Sequence, residues 1–261
     1  MKKEKQPLIL VTNDDGYFAP GLKSLIDMVK PYGEILVVAP EQSSSGMSHA
    51  ITIKVPLRIN KIKNKDNITI YKINGTPVDC VKIGIEQIAD RKPDIIVSGI
   101  NHGSNSSINI IYSGTMGAAI EGYLNGIPSI GFSLCSYDNN ANFSLVKKYG
   151  EKIFSNILKS KNNICLNINF PDTDEENFKG VKVCRQANGV WKEKYEKRID
   201  PLNGSYFWLT GKYINLEPKA EDTDEWALNN NYASIVPIKY EFTNFDKINS
   251  IINLEMSNKN E

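Results

Sequence analysis

Through the first half of the chain, short apolar runs alternate with stretches in which apolar residues recur every three or four positions. That alternation predicts a parallel sheet covered by helices. Leu8-Ile9-Leu10-Val11 is strand-length and unbroken, Leu22, Leu25, Ile26 and Val29 follow at helical spacing, and Ile35-Leu36-Val37-Val38 reads as a second strand. After an extended stretch over 51–73, Thr76-Pro77 has the chemistry of an N-cap with proline at the first helical position. Asp79 falls near the start of that helix, and Val78, Val81, Ile85 and Ile88 form its buried face. Asp94-Ile95-Ile96-Val97 gives a third core strand, 115–124 a helix of small residues stopped by Asn125-Gly126, and 128–132 a further strand. Past about residue 180 the pattern loosens. Segment 185–209 carries Trp191, Tyr195, Tyr206, Phe207 and Trp208 around the turn pair Asn203-Gly204, predicting a long aromatic hairpin that packs on its own core or on another subunit. Phe242, Phe245, Ile248 and Ile252 predict a C-terminal helix that docks on a neighbour or back on the sheet.

Composition narrows the classes. The 261 residues are 41% hydrophobic and 23% charged, as in folded proteins with a full core, so disorder and membrane spans are poor readings. Lys+Arg 31 against Asp+Glu 30 leaves a net charge of +1, which argues against a dedicated nucleic-acid binder. The charged start, Met1 to Gln6, leads straight into the first strand without a signal-peptide core, so the cytoplasm is the expected location. The cysteines, Cys80, Cys135, Cys165 and Cys184, contain no C-x-x-C pair and read as reduced and buried.

In an open parallel α/β sheet, ligands bind beyond the carboxyl ends of the strands. Three polar segments lie at such ends: Asn13-Asp14-Asp15-Gly16, Glu41 to Gly46, and Ser98 to Asn105. Adjacent Asp14 and Asp15 repel unless a cation or several N–H donors lie between them, and a hard divalent cation is the natural partner. The alternative is that they cap a turn before Gly16. The serine run offers Ser45 to a ligand sphere or is a solvated connection, and Asn101 and Asn105 are ligand-facing or simple turn residues. His49 and His102 read as ordinary hydrogen-bonded histidines. Ser113-Gly114-Thr115 opens a helix whose free N–H groups would attract phosphate, or is a plain N-cap. The chain has no G-K-[ST] loop, G-x-G-x-x-G or H-E-x-x-H, which counts against NTP-driven motors, nicotinamide enzymes and zincin proteases.

As a set, Val11-Thr12-Asn13-Asp14-Asp15-Gly16, Val38-Ala39-Pro40 with Ser45-Gly46, Asn74-Gly75-Thr76-Pro77-Val78-Asp79-Cys80, Ser98 to Asn105 and Tyr112-Ser113-Gly114-Thr115 closely resemble the SurE family of survival proteins. The resemblance implies a Rossmann-like three-layer α/β/α sandwich with a C-terminal extension and a protruding β-hairpin. It also implies a single domain over 1–261, with the core over 1–180 and oligomerisation elements over 181–261, assembling as a homodimer or homotetramer. The implied activity is metal-dependent hydrolysis of nucleoside 5′-monophosphates, with 3′-monophosphates and short polyphosphate as further substrates, by attack of a metal-activated water on phosphorus. One divalent cation per subunit, Mg²⁺ or Mn²⁺, is implied on Asp14, Asp15, Ser45 and Asn101, with Asp14 and Asp15 catalytic. Asn13, Gly103, Ser104, Asn105, Ser113, Gly114 and Thr115 are the expected phosphate contacts. The chain departs from many relatives at Ser44, where they carry a basic residue, and at Glu225-Trp226, where they often carry a histidine. Two other readings stay open: an aspartyl-phosphate phosphotransferase, whose D-x-D pattern meets Asn13 at its first place, and a non-catalytic nucleotide-binding module.

Overall fold

Strand β1 (Leu8–Thr12) is buried at every position, and its alternate residues enter two different cores. Ile9 and Val11 pack with Leu22, Leu25, Ile35, Ile95 and Phe132, while Leu8 and Leu10 pack with Leu36, Val38, Val81, Ile96 and Ala118. Side chains alternate between the faces of a strand, so this division requires a covering layer on each side of the sheet. The structure is a computed structural model, describing residues 6–138 and 140–255.

From β1 the chain passes through helix α1 (Pro20–Val29), strand β2 (Glu34–Pro40), the strand pair β3 (Ile59–Lys65) and β4 (Ile68–Ile73), and helix α2 (Pro77–Ile83). Strand β5 (Ile95–His102), helix α3 (Gly114–Leu124), strand β6 (Ser129–Leu134), helix α4 (Glu151–Ser160) and strand β7 (Cys165–Phe170) follow. The remainder comprises β8 (Gly180–Val183), β9 (Gly189–Ile199), β10 (Ser205–Asn215), helix α5 (Asp224–Asn229), β11 (Tyr232–Ile238) and the short α6 (Phe245–Ile248). Nine strands form one sheet in the order β3-β4-β2-β1-β5-β6-β7-β11-β8. The centre is parallel, as the apolar runs predict, whereas β3 on β4 and β11 on β7 are antiparallel. Helices α1 and α4 cover one face and α2 and α3 the other, making the α/β/α sandwich.

Local chemistry sets the element boundaries. Thr76 closes a capping box at α2, its hydroxyl accepting from Asp79 N–H (3.1 Å) while the Asp79 carboxylate accepts from Thr76 N–H (2.9 Å). Ile85 and Ile88, assigned to the buried face of that helix, are half-buried on a π-turn that continues it. The third core strand runs beyond Val97 to His102, because Asn101 and His102 pair with Ser133 and Leu134 of β6.

The hairpin differs in extent from the sequence expectation, since β9 begins at Gly189 and β10 runs to Asn215. It forms a separate two-stranded sheet and leaves Tyr195, Phe207, Trp208 and Leu209 exposed. At the C-terminus the helical spacing yields only α6 and a 3₁₀ segment, Asn249–Leu254, with no buried residue. All four cysteines are free, three are buried, and Cys135 is half-buried, a departure from the expectation. Among the described residues no helix is long and apolar enough to cross a membrane.

Candidate active site

The order β2-β1-β5 creates a topological switch point, because the connection from β1 leads to β2 on one side while β5 leads to β6 on the other. A crevice must open between the carboxyl ends of β1 and β5. A cleft of about 180 Å³ lies there. It is lined by Asp14, Ser45, Asn101, Gly103, Ser104, Asn105 and Ser113 among the expected residues, together with Gly46, His102, Asn109, Tyr112 and Tyr137. A larger cavity of about 540 Å³, bordered by Asp27, Met28, Phe143 and Lys147, includes none of the strand-end residues.

Asp14 is the most confined of the acidic groups here. The Thr115 hydroxyl donates to its Oδ1 (2.5 Å), and Gly114 packs so closely that a Cβ there would stand 2.8 Å from Asp14 Cβ. Burial pushes the Asp14 carboxyl up to about 6; the Asp15 charge adds to the rise and the Thr115 hydrogen bond opposes it. Asp15 is half-buried and also raised, by burial, against the His102 N–H that donates to its Oδ2 (3.3 Å). Among the described residues neither carboxylate has a Lys or Arg in salt-bridge contact.

The remaining oxygen donors come from the other two strand ends. Ser45 is exposed on the loop after β2, with its hydroxyl 3.0 Å from Ser43 Oγ. Asn101 donates from Nδ2 to Gly103 O (2.8 Å), so Oδ1 remains its acceptor. Two adjacent acids without a basic partner among the described residues, joined by a hydroxyl and an amide oxygen, have the donor chemistry of a hard divalent cation. Among the described residues no group of three or more His, Cys, Asp or Glu is placed to hold a metal.

Not every expected phosphate contact lies in the cleft. Asn13 is fully buried, its Nδ2 donates to Gly16 O (2.9 Å), and its Oδ1 has no hydrogen-bond partner among the described residues. Gly114 and Thr115 sit behind Asp14, against its side chain. By contrast the loop after β5 is held at the cleft by an amide network. Asn105 N–H donates to Asn169 Oδ1 (2.8 Å), Asn105 Nδ2 to Ser133 Oγ (2.9 Å), and Asn167 Nδ2 to Asn105 O (2.8 Å). Asp224 ties the same loop to the C-terminal half, accepting from Ser107 N–H and Ala187 N–H (2.9 Å each). Next to it the Glu225 carboxylate receives the Ser106 hydroxyl.

The profile of the survival protein SurE family matches residues 9–193. The chain belongs to the SurE family. Among curated relatives, 5′-nucleotidase SurE of Flavobacterium psychrophilum is 50% identical over 255 residues, covering 97% of this chain and 99% of its own. The protein of the same name from Flavobacterium johnsoniae is 52% identical over 244 residues, 92% of this chain and 94% of its own. The crystal structure of a SurE protein from Aquifex aeolicus superposes with a TM-score of 0.81 at 38% identity, over 96% of this chain and 100% of that one. In this SurE chain sequence reasoning missed Asn167 and Asn169, although two amides two apart in the apolar run Cys165–Phe170 share a strand face and so signal a buried polar network. It also missed Asn109 and Tyr137, for which the sequence carries no local signal, and it met Tyr112 only as the residue that precedes Ser113-Gly114-Thr115.

Proposed function

We propose that this SurE protein is a metal-dependent phosphomonoesterase that hydrolyses nucleoside 5′-monophosphates to the nucleoside and inorganic phosphate, with 3′-monophosphates and short polyphosphate as further substrates. The observation that carries the reading is the pair Asp14 and Asp15, the first buried and lining a strand-end cleft beside a helix start, with neither in salt-bridge contact with a Lys or Arg among the described residues. The names of relatives about half identical over nearly the whole chain support the same activity.

In this reading Asp14, Asp15, Ser45 Oγ and Asn101 Oδ1 hold one divalent cation, Mg²⁺ or Mn²⁺, per subunit. When bound, the cation neutralises phosphoryl charge and acidifies a water. Thr115 and Gly114 fix the Asp14 carboxylate, which leaves Asp15, half-buried and accepting from the His102 N–H, as the group that receives the proton of the attacking water. Gly103, Ser104, Asn105 and the Ser113 end of α3 surround the phosphate; the free N–H groups at that helix start favour its negative charge. The leaving ribose oxygen takes its proton from solvent.

The exposed hairpin and C-terminal segment support assembly as a homodimer or homotetramer, and four free thiols support a reducing, cytoplasmic setting. The test is phosphate release from a panel of nucleoside 5′- and 3′-monophosphates with Mg²⁺, Mn²⁺ or EDTA. Release with metal and none with EDTA is expected. Metal-loaded protein that binds the nucleotides and releases no phosphate would replace the enzyme with a binding module.

A further inference from the structure

A cleft of about 180 Å³ is too small to enclose a nucleotide, since sites that bury ligands of drug size measure roughly 300–1,000 Å³. With phosphate against the strand ends, the base must lie at the mouth. One residue there stands out. Tyr137 is 84% exposed, yet its ring is not free: it rests on Gly103, where a Cβ would fall 2.6 Å from Cε1, 2.8 Å from Cζ and 2.9 Å from Oη. Gly103 has φ +105°, so the backbone under the ring is one that L side chains rarely adopt. The peptide leading to Tyr137 is pinned as well, with Cys135 N–H donating to Phe170 O (2.8 Å) and Ser136 N–H to Leu134 O (2.7 Å). A large aromatic is thus held against the loop that borders the cleft, with most of its surface open to solvent. A second aromatic, Tyr112, half-exposed, lines the same cleft immediately before Ser113.

We infer that Tyr137 is a stacking platform for the nucleobase of the substrate, with Tyr112 as a second apolar border of the same subsite. The inference rests on the phosphomonoesterase reading and deepens it, because it predicts that a nucleoside phosphate is preferred to a bare sugar phosphate. Among the described residues that line the cleft Asp14 is the one carboxylate, it belongs to the proposed metal centre, and no Lys or Arg lines it. Recognition by stacking alone tolerates every base and grades them by ring area. The expected order of kcat/KM is purine nucleotide, then pyrimidine nucleotide, then ribose 5-phosphate.

The experiment compares full-length wild type, Tyr137→Ala and Tyr137→Phe with AMP, CMP and ribose 5-phosphate in Mn²⁺, reading kcat and KM separately and, in parallel, dissociation constants by calorimetry. Tyr137→Ala is expected to lower the ratio of kcat/KM for AMP over ribose 5-phosphate about tenfold, mainly through KM, and Tyr137→Phe to restore it. An unchanged ratio in the alanine variant overturns the inference, as does a phenylalanine variant that loses the ratio too, because the hydroxyl would then be what matters. If wild type binds these compounds and releases phosphate from none, the phosphomonoesterase reading fails. The ratio of dissociation constants still decides whether Tyr137 stacks on a base.

Discussion

Asp14 concentrates the energetics of the site in one carboxyl group. Its pKa is raised from 3.8 to about 6 in the folded chain, chiefly by burial, so the folded state favours the protonated form. Without a cation, stability is therefore fully present below about pH 4 and is lost as pH rises towards and beyond 6, by about 3 kcal/mol in all. In EDTA, Asp14→Asn is expected to melt above wild type at pH 8, with the gap closing by pH 4. A gap independent of pH would contradict this account of the burial. Excess Mn²⁺ should reverse the order at pH 8, raising the wild-type Tm and leaving Asp14→Asn near its metal-free value.

At the scale of elements, Ser45 depends on how its loop is tied down. Upstream, Ser44 N–H donates to Asp14 O (2.7 Å). Downstream, Ser48 N–H donates to Tyr112 O (3.2 Å), its hydroxyl donates to Ile111 O (2.5 Å), and the Thr76 hydroxyl donates to Ala50 O (2.7 Å). The buried Glu121 of α3 completes the anchorage, 3.2 Å from His49 Nε2 and 2.8 Å from Lys82 Nζ. Burial alone would raise its carboxyl, but His49 and Lys82 together pull it down to about 2. Glu121→Gln is expected to raise the Mn²⁺ concentration for half-maximal phosphate release several-fold while keeping kcat at saturating Mn²⁺ within about twofold, because loosening the loop would weaken the proposed ligand Ser45 without removing it. An unchanged Mn²⁺ requirement would mean that the loop holds Ser45 without this anchor.

The same elements show what the sequence could and could not disclose. Strand β1 and the capped start of α2 were legible because their signals are local: an unbroken apolar run in one case, Thr-Pro with an acid three residues on in the other. The strand-end loops were legible through topology. Which way each side chain turns was not, since Asn13 and Thr115 satisfy buried hydrogen bonds instead of facing the cleft. Tyr137 could not be found at all, because its packing on Gly103 depends on the join between β5 and β6. The C-terminal helix expected from its spacing shortened to four residues, consistent with the marginal stability of short helices that lack a packing face.

For the whole molecule, the outstanding feature is apolar surface that the single chain leaves uncovered. Phe242 is 94% exposed, Leu202 91%, and Phe207 and Trp208 more than half. On the hairpin, exposed Leu209 pairs with exposed Tyr195 and shares a strand face with Phe207, and a monomer rarely leaves such a patch uncovered. Sedimentation should therefore give a multiple of the 29.2 kDa chain mass, and the paired change Phe207→Ser and Trp208→Ser should shift the population to smaller particles that still bind Mn²⁺. A wild-type chain that sediments as a monomer at micromolar concentration would contradict the assembly.

The proposed metal-dependent phosphate release rests on oxygen donors from three strand ends, with the buried Asp14 among them. The most direct test is release from AMP in Mn²⁺ by wild type and Asp14→Asn, each shown to be folded. Release by wild type that stops with EDTA, and a loss of at least a thousandfold in the variant, is the predicted result; a folded Asp14→Asn that keeps Mn²⁺-dependent turnover would contradict it.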